Sequence, residues 1–302
     1  MTETSPTSST SAPVASRRWL WFALMTVGLW GVWGAFAGIS AQRGFPETLV
    51  YCVWAVTMIV PAVVVMQREK WKLDRDPRSI LYGLLIGLTG AGGQMILFYA
   101  VSTGPAYLIF PIISLSPLVT ILMSLMVLRE RTSRLGALGV ALALVALPLF
   151  DFSPQGFSFA NGSTWFPLAL IIMLCWGVQA FFMKLANNRM SAESIFFYMM
   201  LTGLMLAPVA FAMTDFSKPI NWGWDGPWLA GAIQMLNAIG ALFLVYAFRH
   251  GKAIVVAPLT NAGAPLATAV IALIVAGVMP GELKMVGLAL AFVAAALLAT
   301  AA

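Results

Sequence analysis

Inside long apolar stretches of this 302-residue chain sit a few polar and aromatic side chains whose types and spacing suit binding. Trp30 with Trp33, Trp176 with Gln179, and Gln234 with Asn237 are i,i+3 pairs, so each pair shares one helix face. Gln94, Ser114, Ser116, Thr260 and Asn261 fall at similar depth, the last four beside Pro111 and Pro117 or Pro258 and Pro265. Amides and hydroxyls surrounded by hydrocarbon must pair with each other, with water or with a solute. An indole turned to a cavity stacks on a solute and donates one hydrogen bond. Each proline withdraws an N–H from the carbonyl four residues earlier, at Tyr107, Ile113, Ile254 and Asn261, and so frees acceptors. The alternatives stay open at this level: tryptophan as packing at a helix seam, proline as a kink, hydroxyls returned to their own backbone.

Such groups bind; they do not cleave. The single histidine, His250, stands in a short basic gap, and Cys52 and Cys175 fall in different runs. Neither His-Glu-x-x-His nor Gly-x-Ser-x-Gly occurs, so metal and nucleophilic catalysis have no constellation to rest on, and no cofactor is expected. The glycine-rich GLTGAGG, Gly87 to Gly93, lacks the following Lys-Ser or Lys-Thr of a phosphate loop and reads as a close-packing face. Lys184, the deepest basic group, lies within a turn of a run's end, where its ammonium can reach headgroups.

The elements that must position these groups follow from composition. Hydrophobic residues make up 61%, and 17 basic with 11 acidic side chains fall far below the roughly 75 charges of a soluble chain this long. Ten apolar runs fall near 19–40, 46–66, 79–101, 105–128, 134–150, 165–187, 193–213, 228–248, 253–276 and 282–301. Runs of about 20 residues match helices crossing a bilayer, because backbone in hydrocarbon must satisfy its own hydrogen bonds. The expected fold is all-α and polytopic. Residues 1–16, rich in Ser, Thr and Pro, are expected to be a disordered cytoplasmic tail, and 151–164 an external linker.

The net charge of +6 is distributed by side, not by face, so it points to topology and not to nucleic acid. Gaps on the side of the N-terminus hold thirteen basic residues: Arg17, Arg18, Arg68, Lys70, Lys72, Arg75, Arg78, Arg129, Arg131, Arg134, Arg189, Arg249 and Lys252. Opposite gaps hold Arg43 and Lys218, with Lys284 just inside the last run. Short basic loops resist translocation, so both termini are expected in the cytoplasm.

The chain also repeats itself. Leu29 to Trp54 aligns with Cys175 to Met200 at a shift of 146, pairing Trp30 with Trp176, Gly31 with Gly177, Arg43 with Arg189 and Glu47 with Glu193. A shift of 147 pairs YAVSTGPAYLIFP, Tyr99 to Pro111, with YAFRHGKAIVVAP, Tyr246 to Pro258. Two five-helix repeats result, 17–150 and 165–302, and an odd number of crossings forces the second copy in upside down. Inverted repeats are the architecture of secondary transporters. Arg43 with Glu47, and Arg189 with Glu193, are candidate ion pairs that gate the two faces.

With a Trp-Gly in the first helix of each half, proline-interrupted fourth and ninth helices, and Glu130 or Glu282 ahead of glycines (Gly136, Gly139, Gly287), the sequence resembles the drug/metabolite transporter superfamily, EamA-like branch. The resemblance implies movement of a small metabolite through a central cavity lined by both halves, in a bacterial plasma membrane. Cationic-drug exporters of that superfamily use a membrane-embedded carboxylate. No Asp or Glu lies in the middle third of any run here, which disfavours a cationic substrate. The expectation is a carrier for a neutral or zwitterionic solute, amino acids ahead of sugars, working by alternating access. A lipid-linked metabolite flippase or a non-transporting receptor is the alternative, and an integral-membrane enzyme is disfavoured.

Overall fold

The computed structural model describes residues 17–103, 109, 112–150, 165–276 and 281–300. Tyr107, Pro111, the tail expected over 1–16 and the linker expected over 151–164 lie outside the described residues. The first half supplies α1 (Arg18–Phe36), a short α2 (Ile39–Gln42), α3 (Glu47–Thr57), α4 (Ile59–Arg68), α5 (Pro77–Thr103), α6 (Ser116–Met123) and α7 (Arg134–Phe150). The second supplies α8 (Trp165–Asn187), α9 (Ala192–Ala212), α10 (Leu229–His250), α11 (Ala253–Ala276) and α12 (Glu282–Thr300). Among the described residues six segments are long and apolar enough to cross a bilayer, and three shorter apolar helices together with α12 complete the ten spans. α3 and α4 are one span, interrupted at Met58 because Pro61 has no N–H for the Thr57 carbonyl.

The outside of the bundle is hydrocarbon. Val60, Leu88, Met126, Ile274 and Phe292 are exposed, an arrangement that water would not tolerate and lipid requires.

The two copies are inverted, and the contacts between equivalent helices prove it. Gly139 on α7 faces Ala294 to Leu298 on α12, while Gly287 on α12 faces Ala146 and Leu149 on α7, so these two equivalent spans run antiparallel. The second and seventh spans do the same: the Thr48 and Thr214 hydroxyls lie 2.7 Å apart, Cys52 Sγ reaches Ala207 O at 3.4 Å, and Trp54 lies over Gly203. Packing elsewhere repeats under exchange of the halves. α1 lies against α10 and α11 as α8 lies against α5 and α6, and α3 packs on α10 as α9 packs on α5. A pseudo-twofold axis in the membrane plane follows.

Loops at the two ends reach across the halves. On the face carrying the thirteen basic residues, here the basic face, Asp74 in the α4–α5 loop accepts from Ser191 N–H (2.8 Å) and Oγ–H (2.9 Å) at the start of α9. Burial pushes the Asp74 carboxyl up, but these bonds with the Ser194 hydroxyl outweigh it and hold it below the usual carboxylate range. On the opposite face the α9–α10 loop returns the gesture, Asn221 donating from Nδ2 to Arg43 O (2.9 Å) and from its backbone to Gly44 O (3.0 Å).

A Cβ at Gly287 would stand 2.9 Å from Leu149 Cβ, against a neighbouring helix with no room to retreat. Gly287→Leu is expected to destabilise the bundle by about 1–3 kcal/mol, the cost of overpacking a close helix contact, read as a lowered unfolding midpoint of the purified protein. Gly92→Leu, whose Cβ meets nothing within 4 Å, is the control that should leave the midpoint nearly unchanged.

Candidate central cavity

Helices of both halves enclose a cavity of about 500 Å³. Trp30 and Trp33 enter from α1, Gln94 from α5, and Ser116 with Pro117 from α6, with Ser114 in the turn just before it. Trp176 and Gln179 face them from α8, Asn237 from α10, and Thr260, Asn261 and Pro265 from α11. Gln234 does not line the cavity. It is buried behind the wall, where its Oε1 accepts from Trp33 Nε1 (3.2 Å) and Asn237 Nδ2 (3.4 Å) and so orients both. Pro258 is buried within α11 and lies off the cavity.

The indoles are held by the pseudo-symmetry. Trp30 Nε1 donates to Asn237 O at 3.2 Å, and its repeat partner Trp176 donates to Gly90 O at 3.4 Å. Gly90 and Asn237 are themselves equivalent under the 147-residue shift. Glycine is needed at Gly90 because Gln179 lies directly on its Cα, where any Cβ would collide with the carboxamide. Two threonines that the sequence reading passed over complete the pattern. Thr120 Oγ1 donates to Gly177 O at 2.9 Å, and Thr268 Oγ1 to Gly31 O at 3.0 Å, tying α6 to α8 and α11 to α1. The signal was present as Pro-Leu-Val-Thr at Pro117 and Pro-Leu-Ala-Thr at Pro265.

The prolines act differently in the two halves. Ahead of α6 the chain turns at Ser114 and Leu115, and Pro117 sits in the first turn of the restarted helix, where a missing N–H costs nothing. α11, expected to be broken, is continuous through Pro258 and Pro265. Between those prolines Thr260 Oγ1 returns to the Val256 and Ala257 carbonyls (2.9 and 3.2 Å) and Asn261 Nδ2 to Ala257 O (2.9 Å). These bonds fall on carbonyls within the helix and not on those of Ile254 and Asn261 that the prolines free, and they leave the Thr260 hydroxyl able only to accept from a solute.

Gln94 and Gln179 have no hydrogen-bond partner among the described residues. Trp54, Met58, Met183 and Met199 add apolar wall, and no ionisable side chain lines the cavity among the described residues. At the end toward the basic face, buried Met183, Met199 and Phe248 close it. Gly34, Gln94 and Thr268, toward the other face, are half-buried.

The charges stand elsewhere. Lys184, expected to reach headgroups, instead donates to Phe248 O (3.1 Å) and Gly251 O (2.6 Å), the unsatisfied carbonyls at the end of α10. Glu130 accepts from Ile254 N–H at 3.1 Å at the start of α11, where a carboxylate suits the helix dipole. Burial pushes the Glu130 carboxyl above its ordinary range despite the Ile254 and Ala253 amides and the Lys184 and Lys252 ammoniums around it. The expected ion pairs do not form. Arg43 meets Asp225 at 3.8 Å instead of Glu47, because the α9–α10 loop folds back onto it. Glu193 accepts from the Tyr246 hydroxyl, and neither Glu47 nor Arg189 forms an ion pair among the described residues.

One family model, described as the EamA-like transporter family, matches the chain twice, over residues 17–150 and 163–300. An uncharacterised protein of Methanocaldococcus jannaschii is 22% identical over 130 residues, 43% of this chain and 93% of its own length, a span the size of one half. A crystal structure of a protein 18% identical superposes with a TM-score of 0.75 over 92% of this chain and 95% of its own, which is a likeness of fold.

Thr120→Val and Thr268→Val are each expected to cost about 0.5–1.5 kcal/mol of stability, nearly additively, because the two bonds share no partner. Thermal unfolding of the single and double variants checks this. For Glu130, a folded pKa above the unfolded one favours the protonated form. Its contribution is therefore greatest below the unfolded value of about 4.3 and falls as pH rises through the folded value. The stability of the native chain relative to Glu130→Gln should decline across that window; a difference independent of pH would contradict the burial of this carboxyl.

Proposed function

We propose that this chain, which belongs to the EamA-like transporter family and is a membrane transporter of the drug/metabolite superfamily, carries a small neutral or zwitterionic metabolite by alternating access. Amino acids are the favoured class. The observation that carries the reading is a cavity between inverted halves, walled by amides, hydroxyls and indoles with no ionisable side chain among the described residues. A solute with net charge would leave water without a counter-charge, at a cost of several kcal/mol or more. One without net charge can trade its water for Gln94, Gln179, Asn261 and the hydroxyl oxygens, and lay an apolar portion on Trp30, Trp33 and Trp176.

The inverted arrangement supports the mechanism, because the two halves can exchange conformations around one central site. In the conformation described, the cavity is closed toward the basic face by Met183, Met199 and Phe248. The distribution of Lys and Arg supports placing that face, with both termini, in the cytoplasm, and the bacterial plasma membrane as the location. Asp74 with Ser191 on one face, and Asn221 with Arg43 on the other, are the contacts that must loosen in turn, in place of the ion pairs expected from sequence. Transport needs no metal or prosthetic group in this scheme.

Purified protein in liposomes, given a panel of labelled metabolites with and without a pH gradient, tests the assignment. Flux is expected for uncharged or zwitterionic solutes. Gln94→Leu or Gln179→Leu should lower transport efficiency roughly tenfold, the loss of one hydrogen bond to a solute in a dry site. Flux confined to solutes of net charge, or unchanged by both substitutions, would overturn it.

A further inference from the structure

Among the described residues three non-glycine positions adopt left-handed backbone: Lys70 (φ 54°), Trp71 (φ 57°) and Arg129 (φ 54°). All three lie on the basic face. The opposite face meets the same demand with Gly44 (φ 89°). Lys70 and Trp71 close α4 through two backbone bonds, Lys70 N–H to Gln67 O (3.0 Å) and Trp71 N–H to Met66 O (2.7 Å). This is the left-handed helix ending in which glycine is favoured, since a Cβ raises the energy of that conformation. The fold makes little use of the Lys70 side chain, which is exposed, and leaves 53% of the Trp71 surface free. Both side chains have surface to offer a partner outside the chain.

The neighbours point to what is met. Arg68, Lys72, Arg75 and Arg78 are exposed with Lys70, and none of these five cations has an ion pair or side-chain hydrogen bond among the described residues. Arg43 is engaged with Asp225, Lys218 with Asp215, and Lys184, Arg249 and Lys252 with backbone carbonyls, while Arg17, Arg18, Arg129, Arg131, Arg134, Arg189 and Lys284 also lack such a partner among the described residues; what marks the α4–α5 loop is that five such cations gather within residues 68–78. Three carboxylates share the segment, Glu69, Asp74 and Asp76, and the Ser191 and Ser79 bonds keep the last two ionised, so five cations against three anions leave a net charge of about +2, with Asp74 directed away onto Ser191. The equivalent loop in the second half provides an internal control. It also displays an exposed indole, Trp222, but its one lysine, Lys218, is paired. Both loops hold an aromatic ring at a membrane interface; one adds unpaired positive charge.

We propose that the α4–α5 loop is a binding site for the headgroups of anionic phospholipids in the leaflet on the basic face. Lys70, Lys72 and Arg75 meet the phosphodiester, and the Trp71 indole lies among the glycerol esters below it, as interfacial tryptophans do. The pairing requires both parts of the ligand, a negative headgroup and a tail that brings it against the ring. It is independent of the solute carried.

The test uses the full chain in a neutral detergent, following thermal unfolding as short-chain phosphatidylglycerol, short-chain phosphatidylcholine or glycerol 3-phosphate is added. At tenfold excess over its Kd, phosphatidylglycerol should raise the midpoint by roughly 2–4 °C, while the other two leave it near its starting value. Lys70→Gly separates the two roles of the residue: the unliganded midpoint should rise, because glycine suits the backbone, while the response to phosphatidylglycerol falls. Lys72→Gln with Arg75→Gln, both at exposed positions, should abolish the response without lowering the unliganded midpoint, and Lys218→Gln should leave the response intact. An equal response to phosphatidylcholine, or a response surviving in the Lys72→Gln, Arg75→Gln protein, overturns the site. An equal response to glycerol 3-phosphate assigns the loop to a free anion and overturns the lipid.

Discussion

Hydrocarbon accepts no hydrogen bonds, and the interior of this bundle is arranged around that fact. Most polar side chains buried between helices find an acceptor already inside, Trp54 Nε1 and Ser124 Oγ being exceptions among the described residues, and what a helix offers is a carbonyl with a second lone pair. Thr26 donates to Gly240 O, Trp30 to Asn237 O, Trp176 to Gly90 O, Thr120 to Gly177 O and Thr268 to Gly31 O. Such carbonyls are reachable only where the helix axis comes close, which is why glycine recurs among the acceptors. A methyl at Gly31 would collide with Ala267, and one at Gly177 with Val119.

The same rule sorts the polar residues of the cavity into two kinds. Gln234, Trp33 and Thr120 have their partners and serve to hold the wall in place. Gln94 and Gln179 have none among the described residues, and their desolvation is relieved only by something that enters the cavity. Charge is excluded from that space and collected at the end near the basic face, where Lys184 and Glu130 complete the ends of α10 and α11. Neutral recognition in the middle and ionic closure at the end are thus separate layers of one structure.

Much of this was legible in the chain. The spacing of charges marked nine of the spans to within a few residues, because hydrophobic length and helix length are the same quantity in a bilayer, whereas the fourth, expected from 105, has its helix α6 starting only at Ser116. The repeat located Trp30, Trp176, Gly31 and Gly177, and counting crossings gave the inversion that the α7–α12 contact displays. Local chemistry was less readable. Proline spacing alone predicts a break in both halves, yet α11 runs on through Pro258 and Pro265, and Pro117 sits in the first turn of a helix that restarts after Ser114 and Leu115. Arg43 with Glu47 is suggested as a pair by its recurrence as Arg189 with Glu193 at the equivalent repeat positions; Asp225, far along the chain, reaches Arg43 only through the fold. Thr120 and Thr268 were overlooked as ordinary helix hydroxyls, although their shared Pro-Leu-x-Thr setting was a symmetric mark.

Two of the contacts described above join a span to its own counterpart: α7 with α12, and the α3–α4 span with α9. Contacts of this kind are isologous, each surface being complementary to a second copy of itself turned over. A polypeptide of one half's length therefore already possesses self-complementary surfaces with which to pair with an inverted copy of itself in the bilayer. Covalent fusion adds no new interface. What it adds is permission to diverge, since one repeat position can hold Trp33 in the first half and Gln179 in the second, and a symmetric cavity can acquire an asymmetric lining.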